Sequence, residues 1–187
     1  MAVGDASATD RAVEALTRLV RDVPDFPEPG ILFKDITPLL GDAGGFAAVV
    51  DGLADAGRDA SGAVVVDKVV GMEARGFILA APVALALGVG FVPVRKAGKL
   101  PHDTHSVAYA LEYGDAVLEL HQDAVAPGER VLVIDDVLAT GGTARATHEL
   151  VTACGATTAA FAFLMELGFL DGRGALGDVP ATVLLTV

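Results

Sequence analysis

The sequence predicts an α/β domain with a central, mostly parallel sheet flanked by helices, and three observations carry that prediction. Strand-like and helix-like segments alternate along the chain, the pattern of a sheet covered by its crossover helices. Residues 131–134 (VLVI) are apolar at every position, as in a strand buried on both faces. That run leads into Asp135 and Asp136, and then into the small-residue turn Ala139-Thr140-Gly141-Gly142-Thr143, which opens a helical segment. Open α/β sheets bind their ligands at this carboxyl end of the strands.

The elements follow in order. Ser7 and Asp10 frame the start of a helix whose Val13, Leu16, Leu19 and Val20 make one apolar face. Residues 24–40 form an irregular arm, because four prolines exclude a long helix. Asp42 caps a second helix with Phe46, Val49, Val50 and Leu53 turned inward. Residues 64–70 read as a strand, followed by a loop, GMEARG, at 71–76. The uncharged stretch 76–94 approaches the length of a membrane span, but Gly88 and Gly90 divide it into a helix and a buried strand, GFVPV. Residues 96–106 are a polar loop. Strands at 107–112 and 116–121 are turned by Gly114-Asp115 as a hairpin. Further strands fall at 158–164 and 181–187.

At 187 residues, with no linker or internal repeat, the chain reads as one domain, 1–187. A content of 52% hydrophobic and 20% charged residues argues against disorder. The net charge of −12 argues against nucleic acid or an anionic membrane as a partner, since both bind through phosphate neutralisation. Cys154, the one cysteine, has no intrachain disulfide partner and sits in an apolar helix. Asp5, Asp10 and Arg11 interrupt the N-terminus, which lacks the apolar segment of a signal peptide, so a cytoplasmic location is expected.

Basic residues are placed unevenly. Lys68, Arg75, Arg95, Lys96 and Lys99 occur with a single acid, Glu73, between positions 68 and 99. In so acidic a chain this is a local reversal of sign, suited to a polyanion, and the planar fork of Arg75 suits a diphosphate. Ordinary surface charge with a Glu73–Arg75 interaction is the plainer alternative. The turn at 139–143 adds an anion cradle: glycines permit close approach, and the helix N-terminus offers amide donors. It is neither a Walker A loop, lacking Gly-Lys-[Ser/Thr], nor a G-x-G-x-x-G dinucleotide fingerprint. His105, His121 and His148 show no metal-ligand spacing.

The run VLVIDDVLATGGT resembles the phosphoribosyl-diphosphate (PRPP) signature of the type I phosphoribosyltransferases. The arm PDFPEPGILFKDITPLL, the loop GMEARGF, the run GVGFVPVRKAGKLP and the pair LEYG join it in the order found in adenine-specific members of that family. The resemblance covers residues 24–167. It implies the type I phosphoribosyltransferase fold, with an N-terminal hood arm (24–40) that binds the base and a lid loop and β-hairpin (95–121). It also implies adenine salvage: adenine and PRPP give AMP and diphosphate, assisted by Mg²⁺ carried on PRPP rather than ligated directly by protein, in a homodimer.

The resemblance further implies roles for individual residues. Asp135 and Asp136 would bind the ribose hydroxyls and stabilise charge on the ring. Ala139, Thr140, Gly141, Gly142 and Thr143 would hold the 5′-phosphate. Arg75 would contact the diphosphate, beside a cis peptide expected between Glu73 and Ala74. Arg95, Lys99 and His102 would belong to the lid, where Gly98 suits a mobile tip. Phe33 would stack on adenine with Val137 on the opposite face, while main-chain groups of Leu32 and Lys34 read the base edge. A core role for Phe33 is the alternative, and many relatives carry Arg in place of Lys34. Glu112, beside Tyr113, would move the purine proton. Three other functions fit less well. Other nucleobases lack the GILFKDITP arm. A PRPP-sensing regulator needs a nucleic-acid-binding part. A haloacid-type phosphatase needs D-x-D where this chain has adjacent acids.

Overall fold

The computed structural model describes residues 7–110 and 115–187. They fall into two compact units, divided between Gly52 and Leu53.

In the first unit, helix α1 (Ala8–Leu19) starts with the expected capping box. The Ser7 hydroxyl accepts the Asp10 amide at 3.1 Å, and the Asp10 carboxylate accepts the Ser7 amide at 3.2 Å. Its buried residues are Ala12, Ala15 and Leu16, so the inward face is set partly by alanines; Val13 and Leu19 are half-buried, and Val20 is the C-cap.

The arm is more regular than its prolines suggested. Strands β1 (Arg21–Pro24) and β2 (Leu32–Asp35) pair antiparallel, with Val23 opposite Phe33. Pro24 is the last residue of β1, Pro27 follows a cis bond from Phe26 in the connection, and Pro38 lies in the first turn of α2 (Thr37–Gly41). These are positions where a missing amide breaks no ladder. Helix α3 (Ala43–Ala54) begins under Asp42, whose Oδ1 accepts the Gly45 amide at 2.7 Å.

The second unit is built on strands β3 (Lys68–Met72), β4 (Gly90–Lys96), β5 (Thr104–Ala110), β6 (Asp115–His121), β7 (Arg130–Leu138), β8 (Thr157–Glu166) and β9 (Ala181–Thr186). They form one seven-stranded sheet in the order β5-β6-β4-β3-β7-β8-β9. Strands β4, β3, β7, β8 and β9 are mutually parallel, and β6 and β5 add an antiparallel edge. Helices α4 (Arg75–Leu87) and α5 (Gly142–Ala153) supply the crossovers. Val131 and Val133 of β7 join Val70, Phe161 and Phe163 in one cluster with Leu150 and Val151 of α5. Each such fully buried side chain contributes about 1.5–3 kcal/mol. α4 packs close on β3, where Gly71 leaves room: a Cβ there would stand 2.8 Å from that of Ala80.

Several boundaries differ from expectation, each for a pairing reason. The strand expected at 64–70 is β3, shifted to Lys68–Met72, and Val64 makes only an isolated bridge to Arg58. β4 runs on to Lys96 because Arg95 and Lys96 pair with Glu119 and Leu118 of β6. β5 starts at Thr104, within the expected polar loop, because the ladder with β6 reaches Thr104–His121. Two short helical turns, Gly168–Leu170 and Gly172–Leu176, precede β9. The uncharged stretch 76–94 resolves into α4, a left-handed Gly88 (φ 70°) and β4. Among the described residues no helix is long and apolar enough to cross a membrane.

Candidate active site

β7 does not end at residue 134, as the apolar run suggested, but carries both acids within the strand. β8 pairs alongside as far as Leu138, with Asp135 opposite Phe163 and Val137 opposite Met165. The acids therefore stand on a ladder-fixed backbone rather than on a loop. The Asp135 carboxylate accepts the Asp136 amide at 2.9 Å. Asp136 is 3% exposed and its Oδ2 lies 2.8 Å from Nε of Arg75, in the first turn of α4. The packing here requires Gly76, since a Cβ would lie 2.8 Å from the Ile134 carbonyl oxygen and 2.9 Å from Asp135 Oδ1. Burial, reinforced by the neighbouring Asp136 charge, pushes the Asp135 carboxyl well above the usual range. Burial also raises Asp136, although the Arg75 guanidinium opposes it.

Beyond β7 the chain turns into a pocket lined by Ala139, Thr140, Gly141, Gly142 and Thr143 together with Asp135, Val137, Met72 and Phe163. Gly141 adopts a left-handed φ of 79° and precedes α5, and no side chain caps that helix. The first intrahelical bond runs from the Arg145 amide to the Gly141 carbonyl at 2.9 Å. The amides of Gly142, Thr143 and Ala144 thus lie where a helix has no carbonyl to offer them, the geometry of an anion site. The Thr143 hydroxyl donates to the Tyr109 hydroxyl of β5 at 3.4 Å, which links the turn to the antiparallel edge.

The turn is also backed from behind by the segment after β8. A Cβ on Gly141 would meet the Gly172 carbonyl oxygen at 2.5 Å, and one on Gly172 would meet that of Ala139 at 2.1 Å. Arg173 Nε grips both oxygens of the buried Glu166, at 3.0 and 2.9 Å. Sequence reasoning missed Gly172 and Arg173, because nothing local in GFLDGRGALGD marks it as a support for residues thirty positions earlier.

The expected basic cluster is partly dissolved. Lys68 lies at the amino end of β3, bonded to the Ala124 carbonyl at 2.8 Å and to Glu129 at 2.9 Å, and so belongs elsewhere. The Glu73–Arg75 alternative is replaced by a different pairing. Glu73 is bound by Lys99, accepts the Lys96 amide at 2.9 Å and lies 3.5 Å from Arg95 Nε. Burial raises the Glu73 carboxyl, but the hydrogen bonds from Lys99 and the Lys96 amide outweigh it and leave the group below its usual range. His102 packs edge-on against His121, 6.2 Å between ring centroids. The Glu73–Ala74 peptide is cis, as the resemblance implied.

In the first unit, Phe33 packs edge-on against Phe26 at 5.1 Å, and both line a small pocket with Val23 and Asp35. Leu32 is half exposed at 51%, while the Lys34 ammonium is tied to Asp22 at 2.7 Å. Each strand of a two-stranded sheet keeps one edge of amides and carbonyls that its partner does not use, so the β2 backbone can present such groups to a ligand. Glu112 and Tyr113 lie outside the described residues. Among those described, no group of three or more His, Cys, Asp or Glu is placed to hold a metal ion.

Comparison with known proteins matches residues 40–176 to the phosphoribosyl transferase domain. The chain is 72% identical over 174 residues to an adenine phosphoribosyltransferase of Nocardioides sp. (strain ATCC BAA-499 / JS614), covering 93% of this chain and 94% of the relative. The crystal structure of adenine phosphoribosyltransferase from Thermoanaerobacter pseudethanolicus is similar at a TM-score of 0.87 and 48% identity, covering 94% of this chain and 99% of the other. The Saccharomyces cerevisiae enzyme, complexed with an imino-altritol bisphosphate and adenine, is similar at a TM-score of 0.88 and 41% identity, over 93% and 98% of the two chains.

Proposed function

The chain belongs to the phosphoribosyltransferase family, in its adenine-specific branch, and from that premise we propose that it transfers the 5-phosphoribosyl group of PRPP to adenine, giving AMP and diphosphate. The observation that carries this reading is the pocket that joins a half-buried carboxylate, Asp135, to an uncapped helix N-terminus at Gly141. One sugar phosphate needs both: acceptors for its ring hydroxyls and amide donors for its 5′-phosphate.

In the proposed mechanism residues 139–143 hold the 5′-phosphate while Asp135 and Asp136 accept hydrogen bonds from the ribose hydroxyls. Arg75 meets the diphosphate, and its 2.8 Å link to Asp136 ties the two grips together. The bond between ribose C1 and the diphosphate oxygen breaks with positive charge developing on the ring, which the fixed carboxylates stabilise electrostatically. Adenine N9 forms the new bond to C1, and the proton that the purine must lose passes to Glu112. Arg95, Lys99 and His102 belong to the lid that excludes water during transfer. Mg²⁺ would arrive on the oxygens of PRPP, where a hard cation keeps several of its own waters.

Phe33 is the proposed stacking surface for adenine, with main-chain groups of Leu32 and Lys34 at its edge. Val137, in the loop pocket, is the proposed apolar contact for the base. The reading also makes a single catalytic domain, a homodimer and a cytoplasmic location the expected setting, and light scattering on the purified chain checks the dimer.

The deciding experiment incubates the protein with PRPP, Mg²⁺ and each of adenine, hypoxanthine, guanine and uracil, and scores the nucleotides formed. AMP from adenine alone is expected, and none from adenine would end this reading. Phe33→Ala is expected to raise KM for adenine about tenfold while leaving that for PRPP within about twofold, as loss of a stacking face predicts. Equal effects on both substrates would mark Phe33 as a packing residue. Gly172→Ala is expected to raise KM for PRPP about tenfold, because displacing the Ala139 carbonyl shifts the phosphate turn. Unchanged PRPP kinetics would show that the turn tolerates its backing being moved.

A further inference from the structure

Glu73 has no part in the roles above, yet the donors of the lid converge on it. Its Oε2 accepts the Lys96 amide at 2.9 Å and lies 3.5 Å from Arg95 Nε, while its Oε1 is bound by the Lys99 ammonium. The Arg95 guanidinium also donates to the Lys99 carbonyl at 3.2 Å, and the Gly98 amide donates to Glu119 at 2.9 Å, so the turn itself is held in place. Only 9% of the Glu73 side chain is exposed, whereas Arg95 and Lys99 keep 35% and 44%. A nearly buried carboxylate thus neutralises two accessible cations, two residues ahead of Arg75 in the chain.

We infer that Glu73 is the resident counter-anion of the diphosphate subsite: it holds Arg95 and Lys99 in place without ligand, yields them to the diphosphate of PRPP, and reclaims them as product diphosphate leaves. This rests on the reaction proposed above and assigns Glu73 as a positioning residue, one that acts through the two cations and touches no reacting atom. The physical basis is an exchange of anions. Diphosphate carries more charge than one carboxylate and takes the cations when present. A buried carboxylate that loses a cation is left undercompensated, and that cost weakens diphosphate binding and favours its release. The Lys96 amide remains as a neutral partner, so the exchange need not unfold the turn.

Glu73→Gln keeps the shape and the acceptor for the Lys96 amide but removes the charge. Calorimetric titration with diphosphate and Mg²⁺, without adenine, is expected to show about tenfold tighter binding in the variant, with tighter product inhibition and a lower kcat if release limits turnover. The gain should vanish when Lys99→Gln is already present, a coupling that a purely structural role would not produce. Unchanged or weaker diphosphate binding in folded Glu73→Gln protein would overturn the inference, as would a gain that persists beside Lys99→Gln. Should Glu73→Gln fail to fold, the wild-type Lys99 ammonium resonance supplies the test. It is expected to shift on addition of diphosphate, and a resonance that stays fixed while diphosphate binds would overturn the inference. Because these readouts need no base, failure of adenine turnover with the diphosphate result intact would reject the proposed reaction and leave the subsite assignment standing.

Discussion

Asp136→Ala is expected to lower kcat/KM for PRPP by about a thousandfold while the protein keeps its fold, a loss of the size seen when one fixed electrostatic group is removed from a transition state. The side chain sits at the carboxyl end of β7 with 3% exposure, and β8 pairing fixes its backbone, so the substitution removes a group without moving the strand. Its loss acts twice: the proposed ribose acceptor disappears, and Arg75 loses the carboxylate 2.8 Å from its Nε. Arg75 is 40% exposed, so water can solvate the released guanidinium and the fold is spared an unpaired buried cation. Steady-state kinetics with PRPP varied, beside circular dichroism of the same preparation, checks both halves. A kcat/KM within fivefold of wild type would remove Asp136 from the machinery, and a lost fold would make it structural.

The central motif was legible because its chemistry is local. An apolar run, two acids and a glycine turn lie within thirteen consecutive residues, and the structure gathers Asp135 and the whole turn into one pocket. The strand's length was not legible: residues 135–138 remain in β7 only because β8, twenty-eight positions later, pairs alongside them. The same holds for the arm, where four prolines argued for irregularity but fell at places a hairpin and a short helix tolerate. The charge pattern misplaces Lys68, since sequence proximity to Arg75 does not reveal that the two stand at opposite ends of β3. In the sequence Glu73 is the lone acid among the cations, whereas the fold makes it the common partner of Arg95 and Lys99. What sequence could not supply, in each case, was a tertiary contact across many residues.

Asp135→Asn is expected to stabilise the protein near neutral pH while abolishing most of its turnover, and the pH dependence of the gain is what identifies the cause. Burial and the adjacent Asp136 hold the Asp135 carboxyl well above its ordinary value in the folded state. A carboxyl with a raised folded pKa binds its proton more tightly in the native than in the unfolded chain, where it titrates near about 3.9. Between those two values the native state holds more protons, so stability falls as pH rises through the window. An amide keeps the acceptor oxygen for the Asp136 amide, now 2.9 Å away, but has no charge to bury. At pH 7 the variant should therefore melt above wild type. The gap should narrow as pH is lowered through the raised native value towards the ordinary one, as wild type recovers its proton. Melting curves from acid to neutral pH give the answer: a gap that is constant with pH, or a variant less stable at pH 7, would mean that Asp135 carries no buried-charge penalty. Turnover should fall about a hundredfold in parallel, because the charge whose burial costs stability is the one that the proposed reaction sets against the developing ring cation.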